Sequence, residues 1–287
     1  MKRVLLTILL VGVTAVWGWT FVVVKDAIAA YGVLGFLAIR FAIAAACLAP
    51  VGARRMNRRT LVVGMGIGVA MAAGYLPQTL GLRYTTATNS GLITGLFVVF
   101  APLFAWILFR VAPGRMLILA LAVSLGGMAI LTGQMPGQLQ TGDFLTLGCA
   151  AAFGVHIALL SRYAREHDAR ALALAQMIST TVLFAIPWPF FETLSWPSQA
   201  VWWALLLTGA VASALAFLIQ TLVQQHLSAA RTAVILTMEP AFAALFGYWL
   251  GGDRLSPLQL LGAGCIMAAL VLETACFLRT PASRTAG

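Results

Sequence analysis

Cutting the 287-residue sequence at its charged, proline-rich and glycine-rich breaks leaves ten apolar segments, near 4–24, 32–51, 61–83, 86–109, 116–133, 143–162, 170–190, 200–224, 229–250 and 257–278. Each has about the length a helix needs to cross the hydrocarbon layer, roughly 17–25 residues. Lipid offers no partners for backbone N–H and C=O groups, so a chain patterned this way crosses as helices that satisfy their own backbone. Composition agrees, with 61% hydrophobic and 9% charged residues, where a soluble domain carries about a quarter charged. The first run follows Lys2 and Arg3, continues to Val24 without a small-x-small cleavage site, and reads as a retained spanning helix rather than a signal peptide. Cys47, Cys149, Cys265 and Cys276 fall within apolar runs without metal-like spacing and read as packing residues.

A net charge of +10 suggests nucleic acid in a soluble protein; here its placement sets orientation. With the N-terminus inside, Lys2, Arg3, Arg54, Arg55, Arg58, Arg59, Arg110, Arg115, Arg162, Arg165, Arg170, Arg231, Arg279 and Arg284 fall on the cytoplasmic side, fourteen of the eighteen basic residues. Lys25, Arg83 and Arg254 fall outside, and Arg40 is intramembrane. Both termini are expected in the cytoplasm. The short connections leave no room for an inserted soluble domain.

Two stretches resemble each other. Tyr75-Leu76-Pro77-Gln78-Thr79-Leu80 in the third segment matches Phe217-Leu218-Ile219-Gln220-Thr221-Leu222 in the eighth. Trp17-Gly18 of the first matches Phe153-Gly154 of the sixth, and Pro102 of the fourth matches Pro240 of the ninth. The spacing from Gln78 to Pro102 exceeds that from Gln220 to Pro240 by four residues, about one helical turn. The expected fold is an all-α membrane protein of ten transmembrane helices, a first five-helix repeat over 1–135 and a second over 136–287. Five is odd, so the second repeat enters the membrane inverted, an arrangement common among secondary transporters.

Trp17-Gly18-Trp19-Thr20-Phe21-Val22-Val23-Val24-Lys25, followed by Arg40-Phe41 and later by Glu239-Pro240, resembles the drug/metabolite transporter superfamily in its EamA-type branch, over essentially the whole chain. The overall pattern is most similar to YddG-type exporters of aromatic and other amino acids. One departure stands at the end of the fourth segment, where the family often carries an acidic residue and this chain has Arg110 to Arg115; the stretch after the ninth keeps Asp253. The resemblance implies a bacterial inner-membrane transporter working by alternating access around a site lined by helices 1, 3, 4, 6, 8 and 9.

Several polar residues inside the apolar segments are site candidates. Counted along straight helices, Tyr75 and Gln78 lie in the outer half of the third and Phe217 and Gln220 in the inner half of the eighth, near two mouths of one cavity, as paired gate or ligand positions. The alternative is that both amides only hold the bundle together through interhelical hydrogen bonds. Glu239 lies about ten residues into the ninth segment, near the midplane, where a charge costs at least ~2.5–3.5 kcal/mol. It serves proton coupling or recognition of an ammonium group, or is a hydrogen-bonded carboxyl beside the Pro240 break; its first-repeat counterpart, by the proline match, is Ala101. His156 matches Thr20 and is either a cavity-lining or a satisfied packing group. With Trp17 and Tyr75 it would give an aromatic-walled site, an arrangement the family resemblance implies. Arg40 and Lys25 are secondary candidates for attracting a carboxylate, with pairing to Asp26 or snorkelling the plainer reading of Lys25. Pro77, Pro102 and Pro240 are candidate hinges. Trp188, Trp196, Trp202, Trp203 and Trp249 fit an interfacial belt.

Enzyme motifs are scarce: no His-Glu-x-x-His, Walker loop or Gly-x-Ser-x-Gly occurs. The expectation is a non-enzymatic secondary exporter of small metabolites, amino acids including aromatic ones first. No cofactor, metal or nucleic acid is implied; the partners are a small-molecule substrate and the lipid bilayer, with the chain a monomer or homodimer. A multidrug exporter of the same superfamily is the alternative, and an intramembrane enzyme a more remote one, with His156 and Glu239 its only central groups.

Overall fold

In the computed structural model, the described residues are 2–110 and 140–254, apart from 228 and 237, with scattered positions between 115 and 130 and between 256 and 272. The fifth and tenth apolar segments lie for the most part outside them, as does Cys276.

Every described regular element is helical: α1 (Lys2–Ala30), α2 (Val33–Gly52), α3 (Arg58–Gly81), α4 (Ala87–Thr94), α5 (Phe97–Phe109), α6 (Thr141–Tyr163), α7 (Ala169–Ala185), α8 (Trp188–Phe191), α9 (Gln199–Leu206), a π-helical stretch (Leu207–Leu215), α10 (Ala216–Gln224), α11 (Ala229–Leu236) and α12 (Met238–Trp249). Two short 3₁₀ turns follow α2 and α6. Among the described residues, seven spans are long and apolar enough to cross a membrane, α4 with α5, α7 with α8, and α9 through α10 each counting as one. Large apolar side chains such as Ile8, Val62, Val69, Ile107 and Leu206 are exposed on the outer surface. In water such surface would drive association; against acyl chains it is at home.

Helix starts carry their own caps. Asn57 accepts from the Thr60 N–H, Thr86 from Asn89, Ser198 from Val201, and Asp168 from Arg170 and Ala171, which satisfies donors the helix cannot use. Asp253 caps in trans, accepting the Thr88 N–H of α4 at 2.8 Å. Helix α1 outlasts its apolar run by six residues, because Ala27 and Ile28 are buried and Lys25 donates to the Thr85 carbonyl at 2.9 Å. Lys25 thus makes a backbone bond where the sequence suggested Asp26. The fourth segment is broken at Gly95–Leu96 between α4 and α5, whereas Pro102 sits within continuous α5. Cys149 is buried as expected, while Cys47 is exposed on the outer face of the bundle.

All three ion pairs among the described residues lie on one end of the bundle. Arg55 meets Asp168 at 3.1 Å, and Glu166 receives Arg59 at 2.8 Å and Arg162 at 2.7 Å. At the other end of α2, the Glu192 carboxylate accepts the N–H groups of Leu34 and Gly35, each at 3.0 Å.

Contacts between the two halves of the chain recur in pairs. A β-carbon added at Gly18 would lie 2.5 Å from Phe242 Cβ and 2.7 Å from Ala243 N; one added at Gly154 would lie 2.5 Å from Phe100 Cβ and 3.1 Å from Ala101 N. Residues 100 and 242 differ by 142, as do Gln78 and Gln220. The prolines, 138 apart, therefore do not occupy corresponding places: the contacts set Pro240 against Val98 and Glu239 against Phe97. The extra turn noted between Gln78 and Pro102 is a displaced proline rather than inserted helix.

Candidate functional site

Four aromatic rings meet where these contacts converge. Trp17 of α1 lies 5.2 Å from Phe217 of α10, and Tyr75 of α3 lies 5.1 Å from Phe153 of α6, centroid to centroid. Tyr75 and Phe217 themselves stand 6.1 Å apart, edge to face. Ring pairs at such distances attract beyond their burial, by about 0.5–1.5 kcal/mol.

These rings wall one cavity, with about 40 Å³ of room for water centres, enough for about three waters. All eight candidates from the sequence line it. Trp17 and Thr20 come from α1, Tyr75 and Gln78 from α3, and His156 from α6. Phe217 and Gln220 come from α10, and Glu239 from α12. Each is 9% exposed or less, and the room between them is too small for an amino-acid-sized solute unless helices or rings move.

The candidates differ in how well they are satisfied. Gln78 Nε2 donates to Thr94 Oγ1 at 3.3 Å, whereas Gln220 Oε1 is buried without a partner. Interhelical bonding of the amides therefore describes Gln78 and not Gln220. His156 lines the cavity while sharing a 2.8 Å hydrogen bond between Nε2 and Gln176 Oε1 and packing edge-on against Phe217. Thr20 turns its hydroxyl back to the Trp17 carbonyl at 2.7 Å and offers the cavity little polarity. Glu239 lines the cavity, and among the described residues it has no hydrogen-bond or ion-pair partner.

The placement of Tyr75 and Phe217 corrects the expectation of two distant mouths: ring contact puts both pairs at the centre. Depth counted along a straight helix overestimates the distance from the middle when its first turns stand outside the apolar layer. Arg59, in the first turn of α3, has a side chain 73% exposed and paired with Glu166.

Two lining residues were missed or underweighted. Phe97 of α5 lines the cavity opposite the role of Glu239, and carrying the 142-residue offset from Glu239 would have found it. Arg40 of α2 also lines the cavity while 2% exposed. It donates from Nε to Ser213 Oγ at 2.9 Å and from Nη2 to the Tyr75 hydroxyl at 3.3 Å, with its guanidinium 4.7 Å from the Tyr75 ring centre. Helix α2 thus joins the lining set expected from the resemblance.

A bundle of membrane-length helices around a buried chamber with amides, a carboxyl and a guanidinium in its wall is the build of a multi-pass membrane protein that handles small solutes. The chain belongs to the EamA-like transporter family, whose profile matches twice, over residues 4–133 and 140–274. It is a transporter rather than an enzyme. It is similar to an uncharacterized transporter of Archaeoglobus fulgidus, 33% identical over 272 residues, covering 94% of this chain and 86% of that one. It also resembles the threonine/homoserine exporter RhtA of Escherichia coli K12, 30% identical over 139 residues; the match spans 47% of this chain and 45%, about half, of RhtA. A solved crystal structure shares the fold with a TM-score of 0.73 at 20% identity, covering 97% of this chain and all of that one.

Proposed function

We propose that this transporter is a secondary exporter of small metabolites, amino acids including aromatic ones first, working by alternating access between two inverted five-helix repeats over 1–135 and 136–287. The carrying observation is the paired ring contact, Trp17 on Phe217 and Phe153 on Tyr75, made across the halves at 5.2 and 5.1 Å. Exchanging the halves carries Trp17 to Phe153 and Phe217 to Tyr75, as expected when each repeat supplies half of one wall. Such a wall can open on one side by the motion that closes the other.

The partial likeness to RhtA supports amino acids as cargo, and the aromatic wall supports side chains with apolar faces, as in the YddG-type likeness. In the membrane of a bacterial cell, the end bearing Arg55, Arg59 and Arg162 faces the cytoplasm together with both termini. The eight candidates are the solute-contacting set, and Pro77, Pro102 and Pro240 the positions where helices flex. Counterflow of labelled amino acids into proteoliposomes, at two pH values, tests the reading. Saturable exchange is the expected result; exchange of quaternary ammonium drugs without any amino acid makes the chain a multidrug exporter instead.

A further inference from the structure

We propose that Arg40, fixed in the cavity wall by the π-helical stretch, is the anchor for a carboxylate of the transported solute. The inference rests on the transport reading above and adds the chemical group the site must see.

The first observation is a single extra residue. A β-carbon at Gly68 would lie 2.8 Å from the Gln176 carbonyl oxygen and 2.6 Å from Ser179 Cβ; one at Gly209 would lie 2.8 Å from the Arg40 carbonyl oxygen and 2.9 Å from Ile43 Cβ. Gln176 and Ser179 stand 136 positions after Arg40 and Ile43, the offset that also relates Phe153 to Trp17. Gly68 and Gly209 therefore hold corresponding places. Tyr75 follows Gly68 by seven positions, and Phe217 follows Gly209 by eight. Leu207–Leu215 takes up the difference as π-helix, with the Ala216 N–H reaching back to the Val211 carbonyl. Such bulges are rare and concentrate at functional sites.

The second observation is what the bulge presents. It offers the Ala212 carbonyl to the Trp17 indole N–H at 2.7 Å and the Ser213 hydroxyl to Arg40 Nε at 2.9 Å. The corresponding stretch of α3 does neither: Gln176, in the place of Arg40, bonds His156 and its own helix. The charge comes from Arg40 standing where the other half has Gln176, and the extra residue supplies the Ser213 hydroxyl that holds it in the wall.

The third observation is that Arg40 forms no ion pair among the described residues, although the Glu239 carboxyl lines the same cavity. A guanidinium stays charged at any physiological pH, and Arg40 is buried among a serine, a tyrosine and aromatic faces. Every ion pair among the described residues lies elsewhere. Removing an unpaired charge from water is costly, and a planar carboxylate entering the cavity offsets it with geometry that guanidinium matches.

Ligand-induced thermal shifts of the purified full chain in detergent test this apart from transport. The probes are L-phenylalanine and L-threonine, their uncharged-carboxyl counterparts L-phenylalaninamide and L-threoninamide, and inorganic phosphate. The acids are expected to raise Tm at millimolar concentration and the amides to bind at least about tenfold more weakly. R40Q should abolish the shift. S213A, which keeps the charge but frees it, should cut the preference for acid over amide at least about threefold and serves where R40Q does not fold. Equal shifts from acids and amides, a shift from phosphate alone, no shift from either acid, or an unchanged preference in S213A each overturn the assignment. Acids that bind but show no counterflow leave Arg40 its role and overturn the transport reading instead.

Discussion

Tyr75 and Phe217, the leading residues of two matched hexapeptides 142 positions apart, hold their rings edge to face at 6.1 Å in the centre of the bundle. The contact joins the halves of the chain in the wall of the cavity. Replacing either ring with Leu should lower counterflow, and the double replacement should cost less than the sum, with a coupling of about 0.5–1.5 kcal/mol. Strict additivity in a double-mutant cycle would show that the rings act separately.

The two glutamines should answer differently to the same change. Gln78→Leu loses the bond to Thr94 and should cost about 0.6 kcal/mol, as interhelical bonds in membranes do. Gln220→Leu removes an oxygen with no partner and should leave Tm unchanged or raise it. Both should depress counterflow several-fold with folded protein intact; normal exchange by both variants removes the amides from the solute path.

Glu239 lines the chamber with no bonded partner among the described residues, which makes it the carboxyl to test for proton coupling. Counterflow by the native chain is expected to change with pH, and Glu239→Gln to flatten that profile. Identical profiles would exclude coupling through this carboxyl.

Close approach at Gly154 leaves no room for a side chain, since a β-carbon there would stand 2.5 Å from Phe100 Cβ. Gly154→Val should lower the yield of folded protein sharply. Gly66 has nothing within 4 Å of the same position, and Gly66→Ala should raise stability by roughly 0.5–1 kcal/mol from helix propensity alone. Size-exclusion profiles and melting temperatures of the two variants read the contrast.

On the arginine-rich end, burial first and the Arg59 guanidinium second hold His167 below the usual imidazole value, with Glu166 opposing. Its Nδ1 lies 2.8 Å from Thr60 Oγ1. The folded state therefore takes up this proton less readily than the unfolded chain. Stability is present in full above the ordinary value of 6.5 and is lost as pH falls below it. Melting at pH 7.5 and 5.5 should show the fall in the native chain and less of it in His167→Gln.

Much of the site was legible in the sequence because a polar residue inside an apolar run is a local anomaly. Gln78, Gln220, Glu239 and His156 each stand out that way, and all line one cavity. What failed was register. The proline match paired Glu239 with Ala101, since like residues align best on paper, while packing at Gly18 and Gly154 pairs it with Phe97. Depth failed too, because the tilt and protrusion of a helix leave no mark on its hydropathy.

By itself, the sequence determined that this chain crosses the membrane repeatedly as helices, that its halves carry matched motifs, and which few side chains pay a burial penalty there. Hydrophobic runs and turn residues report such things within a few residues of themselves. Only the tertiary structure decided that Tyr75 touches Phe217, that one extra residue becomes a π-helical turn, and that this turn delivers Ser213 to Arg40. Those relations join positions up to two hundred residues apart through packing, and packing depends on the shape of every surface that meets there.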